Sequence, residues 1–325
     1  MKRPNILTFG NIVMDGLYRV KHLPGHDEKV FATSSVWSPG GPAVHFALAA
    51  ASLGLSASVL GWIGADAFGR QIEETLRRRG VSPLFERVPD TLTPTAVVVV
   101  DQTGEKAVLL SPPIDSGRLT VAQLLPGVNI SAADHLHTHL FREAFVLRVL
   151  DAAKRLGVKT SLDVEPSSVE RWGTEAVRRA LALTDIAFVN ERAVNMLAPG
   201  GAGLEAKLPD IAASGPSIVV CTRASRGAVA YASGKLIACP AIPVKTSNSL
   251  GAGDIFSSAF VYALLSGKPP EEAAVTATAA SAVSVSRSQD TVYYPTEDDI
   301  ADMLALSPIA ASITEVEFNG NLYER

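Results

Sequence analysis

AFVLRVLDAAKRLGVKTSLDV (144–164) holds the phrase that organises this chain: an amphipathic helix, a glycine at its C-terminal cap, then a short apolar strand. Gly157 stands where the helix must stop, because glycine enters the left-handed cap conformation without steric cost. The same phrase occurs upstream as AVHFALAAASLG (43–54) before LSASVLGWIG (55–64), and as GRQIEETLRRRG (69–80) before VSPLF (81–85). There Gly54 and Gly80 take the capping position. Downstream, DIAFVN (185–190) and SIVVCT (217–222) read as further strands with helices between them. Alternating helices and apolar strands imply a mostly parallel sheet covered on both faces.

Two regions break that rhythm. Residues about 16–37 and 95–110 carry strand patterns with no helix between them. The second, TAVVVVDQTGEKAVLL, has a DQTG turn between β-branched runs and reads as a hairpin. These pieces are expected to pair as a small sheet outside the main one, forming a lid. No Pro/Gly/Ser-rich linker, low-complexity tract or internal repeat divides the chain, so residues 1–325 are expected to form a single α/β domain. A helix is predicted at about 296–306, and the stretch from Pro308 to Arg325 receives no assignment.

The bulk composition narrows the function classes. Of 325 residues, 47% are apolar and 19% charged, which suits a globular protein with a large core. A net charge of −4 offers no basic footprint for nucleic acid or an anionic membrane. The two cysteines, Cys221 and Cys239, read as buried free thiols of a reducing compartment. No Asp, Glu, Lys or Arg occurs between Val30 and Ala65, but Pro39, Gly40, Gly41, Pro42, Gly54, Gly61 and Gly64 break that run into two short buried elements. The opening MKRPNILTFG has no signal-peptide core. A soluble, cytoplasmic protein is expected.

The segment with most chemistry is NSLGAGDIFSSAFVYALLSG (248–267). Gly251-Ala252-Gly253 precedes a helix with Phe256, Phe260 and Leu264 at i, i+4 and i+8. A glycine turn at a helix N-terminus offers unpaired backbone N–H groups and the positive end of the dipole. Such a place stabilises charge developing on a transferring phosphoryl group. Asp254 beside it can accept a proton from an attacking hydroxyl. On this segment alone, a capping aspartate and a tight turn explain the residues equally well. A second glycine pair, in SPGGPAVHFALAAASLG (38–54), again precedes a helix.

Together, the two glycine segments, their spacing, the order of elements and the lid strands resemble the ribokinase/PfkB family of carbohydrate kinases. The resemblance runs from Gly10 to about Ile300. It implies a three-layer α/β/α ribokinase-like sandwich with a small β-sheet lid, and ATP- and Mg²⁺-dependent phosphorylation of a hydroxyl on a sugar or sugar-like molecule. In that likeness Asp254 is the catalytic base, with Gly251, Ala252 and Gly253 as the anion hole. Asp15, Gly40, Gly41 and His45 would meet the substrate. Asn190 in VNERAVNML matches the family's asparagine near Mg²⁺ and the phosphates, with Glu191 beside it as a further metal ligand. Thr222, Ala224 and Gly227 in CTRASRG match a loop beside the nucleotide. Gly64, Asp66 and Gly69 match a GxDxxG element. No P-loop GxxxxGK[ST] is present.

Departures from the pattern carry expectations of their own. His45 stands where the first signature has Asn, Asn248 replaces the first Asp of DTxGAGD, Ala193 replaces the Glu of NxxE, and Ala224 replaces a glycine. SVSRSQD (284–290) lacks the usual Gly-Ala after its Arg. In potassium-activated members the carboxylate replaced by Asn248 and that last loop help hold the cation, so weak or absent potassium activation is expected. Lid strands with apolar faces suggest a homodimer.

Several residues carry competing readings. His135, His137 and His139 alternate in DHLHTHLF and would share one strand face; lining the crevice is the stronger reading than metal binding, and His139 is a substrate-contact candidate. Asp163 in SLDVEP either faces substrate or caps a turn. Glu73, Glu74 and Arg77 to Arg79 read as a solvated helix face. A nucleoside kinase is the rival within the class, with Phe31, Trp37 and Phe141 as candidates for a base clamp. A non-catalytic sugar or nucleotide sensor is the rival outside it. A nicotinamide-dependent dehydrogenase fits less well, because GAGDIF lacks the third glycine of GxGxxG.

Overall fold

A computed structural model of the chain describes residues 3–103, 105–114, 128–201 and 203–315. In chain order the first elements are β1 (Asn5–Phe9), β2 (Val13–Arg19), β3 (Ser34–Gly40), α1 (Pro42–Ser52), β4 (Ser56–Gly64), α2 (Ala67–Arg78), β5 (Val81–Val88), β6 (Thr95–Val100) and β7 (Lys106–Leu110). After them come β8 (His135–His139), α3 (Glu143–Arg155), β9 (Lys159–Val164), α4 (Pro166–Leu181), β10 (Ile186–Asn190), α5 (Glu191–Leu197), α6 (Leu204–Ala212) and β11 (Ile218–Thr222). The chain continues through β12 (Ala228–Ala232), β13 (Lys235–Cys239), α7 (Ala252–Leu265), α8 (Pro270–Arg287), α9 (Glu297–Leu306) and β14 (Ser312–Glu315).

The helix–glycine–strand phrase builds a ten-stranded sheet in the order β14-β13-β12-β11-β10-β9-β8-β1-β4-β5. From β11 to β5 every pairing is parallel, as crossover helices require. The direction reverses at β12 and β13, where the Ser233-Gly234 turn holds both residues at positive φ, 49° and 77°. Such a two-residue turn matches the twist of an antiparallel hairpin. The capping glycines Gly54, Gly80 and Gly157 take φ of 82°, 75° and 71°, as their positions predict.

Two apolar layers sandwich this sheet. One packs α1, α2, α7, α8 and α9 against one face, around Phe46, Ile63 and Phe260. The other packs α3, α4, α5 and α6 against the opposite face, around Leu136, Leu150 and Val177. Burying each large side chain of this kind contributes about 1.5–3 kcal/mol. Charged groups are not confined to the surface: Glu73, expected on a solvated face, is buried beside Arg87 at 2.6 Å and Arg77 at 3.3 Å. Among the described residues, no helix is long and apolar enough to cross a membrane.

The lid is a second sheet of order β3-β2-β6-β7, with β2 and β6 parallel. Its second part has the expected bounds 95–110, and its first is wider than the expected 16–37, beginning at Val13 and running to Gly40, so Asp15 lies on the lid. Asp66 pins its base: one carboxylate caps α2 through Gly69 N (2.9 Å) and accepts from Thr93 N (2.9 Å) and Thr93 Oγ1 (2.6 Å). Across the lid, Arg19 reaches the main body, donating to Asp290 Oδ1 (2.7 Å) and Gln289 O (3.1 Å). In the DQTG turn the Asp101 carboxylate accepts from Thr103 N (2.8 Å) and Glu105 N (3.0 Å), while Gly104 lies outside the described residues. The unassigned C-terminal stretch supplies β14, which pairs antiparallel with β13; residues 316–325 lie outside the described residues.

Candidate active site

β1, β8, β9 and β10 all end at the same edge of the sheet because they run parallel, and the loops leaving that edge meet the lid. Between lid and edge lies a cavity of about 690 Å³, whose lining includes Asp15, Gly41, His45, His139, Gly251 and Asp254. A smaller cavity of about 230 Å³ is lined by Asp163, Asn190, Thr222 and the Gly251–Asp254 turn. Glu165, Ser249, Gly251 and Asp254 line both, so Asp254 stands at the junction.

The turn that carries Asp254 is set by Gly251, which takes a left-handed conformation (φ 69°, ψ 4°) immediately before α7. A Cβ there would also come within 3.2 Å of the His45 ring. The first bond of the helix runs from Ile255 N to Gly251 O, and Ala252 N is taken by Ser249 O at 3.3 Å. Among the described residues no acceptor takes the N–H of Gly251, Gly253 or Asp254. The open amides are therefore those three, and Ala252, expected in the anion hole, has its N–H engaged locally. Loss of solvent raises the Asp254 carboxyl well above the usual carboxylate range, and the charges of Asp163, Glu165 and Asp15 push it the same way. Asp163 is raised to about 8, by burial first and then by Glu165.

Asp15 approaches from the lid. Across the β2–β3 pair Asp15 faces Ser38 and Gly40 faces Val13, so Gly40 sits diagonally from Asp15, and a Cβ on it would overlap the Asp15 carboxylate. Gly40 thus makes room for Asp15 and does not itself line the cavity, in contrast to its expected contact with substrate. His45, one turn into α1, is buried with Nε2 at 3.3 Å from Asp15 Oδ2, without hydrogen-bond alignment. Its Nδ1 lies 2.8 Å from the Tyr294 hydroxyl. Tyr294 had no sequence signal, since it follows α8 in a loop 249 residues from its partner.

The three alternating histidines divide. His135 Nε2 and His137 Nδ1 share the Ser161 hydroxyl at 2.8 Å each, and the His137 ring stacks on Phe46 at 3.8 Å. Burial holds His135 down at about 4 and His137 well below its usual value, so both are neutral core residues. Among the described residues no group of three His, Cys, Asp or Glu side chains is placed to hold a metal. His139 differs: it lines the large cavity, and neither ring nitrogen has a partner. Burial holds it at about 4 as well.

On the nucleotide side, Asn190 caps α5 by accepting from Ala193 N at 2.9 Å and lines the small cavity with Thr222. Glu191, expected beside the metal, instead pairs with Arg223 at 3.3 Å and with Arg226, and lines neither cavity. The acidic groups that do line the small cavity are Asp163, Glu165 and Asp254. Ala224 and Gly227 lie in the turn after β11, outside both cavities; Ala224 keeps a positive φ of 49° where the family pattern has glycine. Gly227 is required by packing, since a Cβ would overlap the Cys239 carbonyl. Asn248 bridges loops, donating from Nδ2 to Gln289 O at 3.0 Å and accepting from Leu250 N at 2.9 Å. Of the proposed base clamp, Phe31 is 92% exposed and Trp37 stacks on Phe68 at 5.0 Å; neither lines the cavity, whereas Phe141 does.

A carboxylate between two cavities, beside open amides at a helix N-terminus, is the arrangement of an enzyme that passes a phosphoryl group from one bound molecule to a hydroxyl on another. The chain belongs to the pfkB family of carbohydrate kinases, whose family profile matches residues 3–297. It is 26% identical over 304 residues to the ribokinase of Bacillus subtilis, covering 93% of this chain and 99% of that one. With the 5-dehydro-2-deoxygluconokinase of the same organism it shares 29% identity over 293 residues, covering 82% and 86%. The Arabidopsis thaliana ribokinase complexed with ribose and ATP superposes with a TM-score of 0.76 at 23% identity, covering 94% of this chain and 99% of that one, a likeness of fold. The chain is thus a small-molecule kinase with an alcohol group as acceptor.

Proposed function

We propose that Asp254 is the base of a direct, in-line phosphoryl transfer from ATP to a primary hydroxyl of a sugar-like substrate. The observation that carries this reading is the place of Asp254 at the junction of the two cavities. The acceptor occupies the large cavity, its ring hydroxyls bonded to Asp15, His139 and the backbone at Gly41. The donor phosphates enter the small cavity along Asn190 and Thr222. Asp254 takes the hydroxyl proton as the new O–P bond forms and the bond to the leaving phosphate breaks. The N–H groups of Gly251, Gly253 and Asp254 stabilise the charge that grows on the transferring group. A carboxyl raised above the ordinary carboxylate range holds a transferred proton more readily, as a general base must.

Mg²⁺ fits this site through oxygen donors only. Asp163, Glu165 and Asn190 line the small cavity, and a hard cation held by one or two carboxylates completes its shell with phosphates and water. When bound, it neutralises phosphate charge; Glu191 is occupied by its arginines and is not proposed as a ligand. Closure of the lid excludes water from the acceptor. A cytoplasmic homodimer, paired through the apolar lid edge, completes the reading.

Asp254→Asn tests it. The expected result is a fall in kcat of roughly 10²–10⁴-fold with substrate still raising the melting temperature. Turnover within about tenfold of the parent would remove Asp254 from the role of base.

A further inference from the structure

The large cavity extends well beyond the reacting hydroxyl. Its carboxylates, Asp15, Glu165 and Asp254, gather at the transfer end, and Glu165 is close enough to Asp254 to raise its carboxyl. The other end is basic and aromatic. Arg171 and Trp172 line it from α4, and Lys106 of the lid strand β7 belongs to the same cavity lining. Six residues of helix separate Arg171 from Glu165, which at ~1.5 Å per residue sets the Arg171 backbone about 9 Å from the acidic cluster.

Three observations indicate that this end is a binding subsite. The Arg171 guanidinium lies over the Trp172 ring at 4.9 Å, and that indole is itself fixed by donating from Nε1 to Leu140 O at 3.2 Å. A planar guanidinium laid on an anchored ring is partly preorganised for binding. Immediately after Trp172, α4 is interrupted at Gly173 (φ 81°, ψ 162°), a conformation that side-chain-bearing residues rarely adopt. Beyond the break Ala176, Val177 and Ala180 turn into the core, so the irregularity lets one helix serve both cavity and core. Finally, among the described residues no carboxylate pairs with Arg171 or Lys106, whereas Arg19, in the same lining, is matched by Asp290.

We propose that Arg171 binds an anionic group on the acceptor, with Lys106 of the same lining adding positive charge, so that the substrate is a sugar derivative bearing a carboxylate or a phosphate at the end remote from the phosphorylated hydroxyl. The inference rests on the kinase reading above. A guanidinium fork matches the two oxygens of either anion bidentately, and the charge-assisted pair is stronger than a neutral hydrogen bond. Both side chains are exposed, so a neutral sugar would leave them solvated and gain nothing from their charge. The same geometry makes Arg171 a specificity residue that acts on binding and not on the chemical step.

Matched acceptors separate the possibilities: gluconate against sorbitol for the carboxylate, and fructose 6-phosphate against fructose for the phosphate, with adenosine as the nucleoside control. Each is assayed for ADP release with ATP and Mg²⁺, and for melting-temperature shift without nucleotide. The expected result is a preference for the anionic member of one pair, which identifies the anion. In Arg171→Gln the anionic-to-neutral ratio of kcat/KM should drop roughly tenfold or more, with partial retention in Arg171→Lys, which keeps charge but not the fork. Preference for a neutral sugar or adenosine, or a ratio unchanged in a folded Arg171→Gln, overturns the proposal while leaving the kinase reading intact. Absence of both turnover and stabilisation with every acceptor counts against both.

Discussion

Replacing Asp163 by Asn should make the ligand-free protein more stable, and by an amount that grows with pH. Asp163 ends β9 beside Glu165 and Asp254, and its carboxyl is raised from 3.8 to about 8, chiefly by burial. Between those values the folded protein holds a proton that the unfolded chain has released. Stability therefore falls as pH rises through this window, by at most about 1.4 kcal/mol per pH unit for one proton. Between pH 5 and pH 7 the cost approaches ~2–3 kcal/mol, and Asn at this position removes it. The wild-type curve alone would obscure the effect. His135 and His139, held neutral down to about 4, bind protons in the unfolded chain from about 6.5 downward, so they make stability rise with pH over part of the same range. The difference between mutant and wild type cancels that contribution. Melting temperatures measured without nucleotide or metal from pH 5 to 8 should diverge steadily, by roughly 2 °C or less for each kcal/mol in a chain this long. Parallel curves would refute the reasoning, because they would mean that Asp163 is ionised in the folded protein across the whole range.

Gly40→Ala should place a methyl group in the volume of the Asp15 carboxylate and force it away from His45. The expected outcome is a rise in KM for the acceptor of at least about tenfold, the loss of one charge-assisted contact, with a smaller change in KM for ATP. The oligomeric state is checked by sedimentation: β7 is an exposed edge strand with Val108, Leu109 and Leu110 at 53%, 72% and 67% exposure, and it should be covered by a second copy of the chain. A monomer at all concentrations would exclude pairing through this edge, whereas a dimer broken by Leu109→Lys would support it.

Local patterns were enough to find the layers of this molecule. Helical periodicity, capping glycines and apolar strands each depend on neighbours a few residues away, so AFVLRVLDAAKRLGVKTSLDV announces its helix and strand without help from the rest of the chain. The same holds for the hairpin of β6 and β7, whereas the glycine turn before Asp254 announced a helix start and left a cap and a base equally open. Asp15 and Gly40 were legible as motif positions, but their contact on the lid was not, because register between β2 and β3 is settled only when the two strands pair.

What tertiary structure decided are the questions of partnership and burial. Glu73 belongs to a helix face that looks solvated in sequence, yet it is buried and paired with the half-exposed Arg87 of β5. His135, His137 and His139 are equivalent along their strand, and only the Ser161 hydroxyl and the position of the cavity make two of them structural and leave the third lining the large cavity. Glu191 follows the capping asparagine in a motif that suggests metal, but Arg223 and Arg226 arrive from 32 and 35 residues away to hold it. Arg171 and Trp172 look like an ordinary helical pair, and only the fold shows that they line the cavity just before the break at Gly173. A residue's type limits the chemistry open to it from the outset; its charge state and role depend on which distant groups the fold brings within a few ångströms.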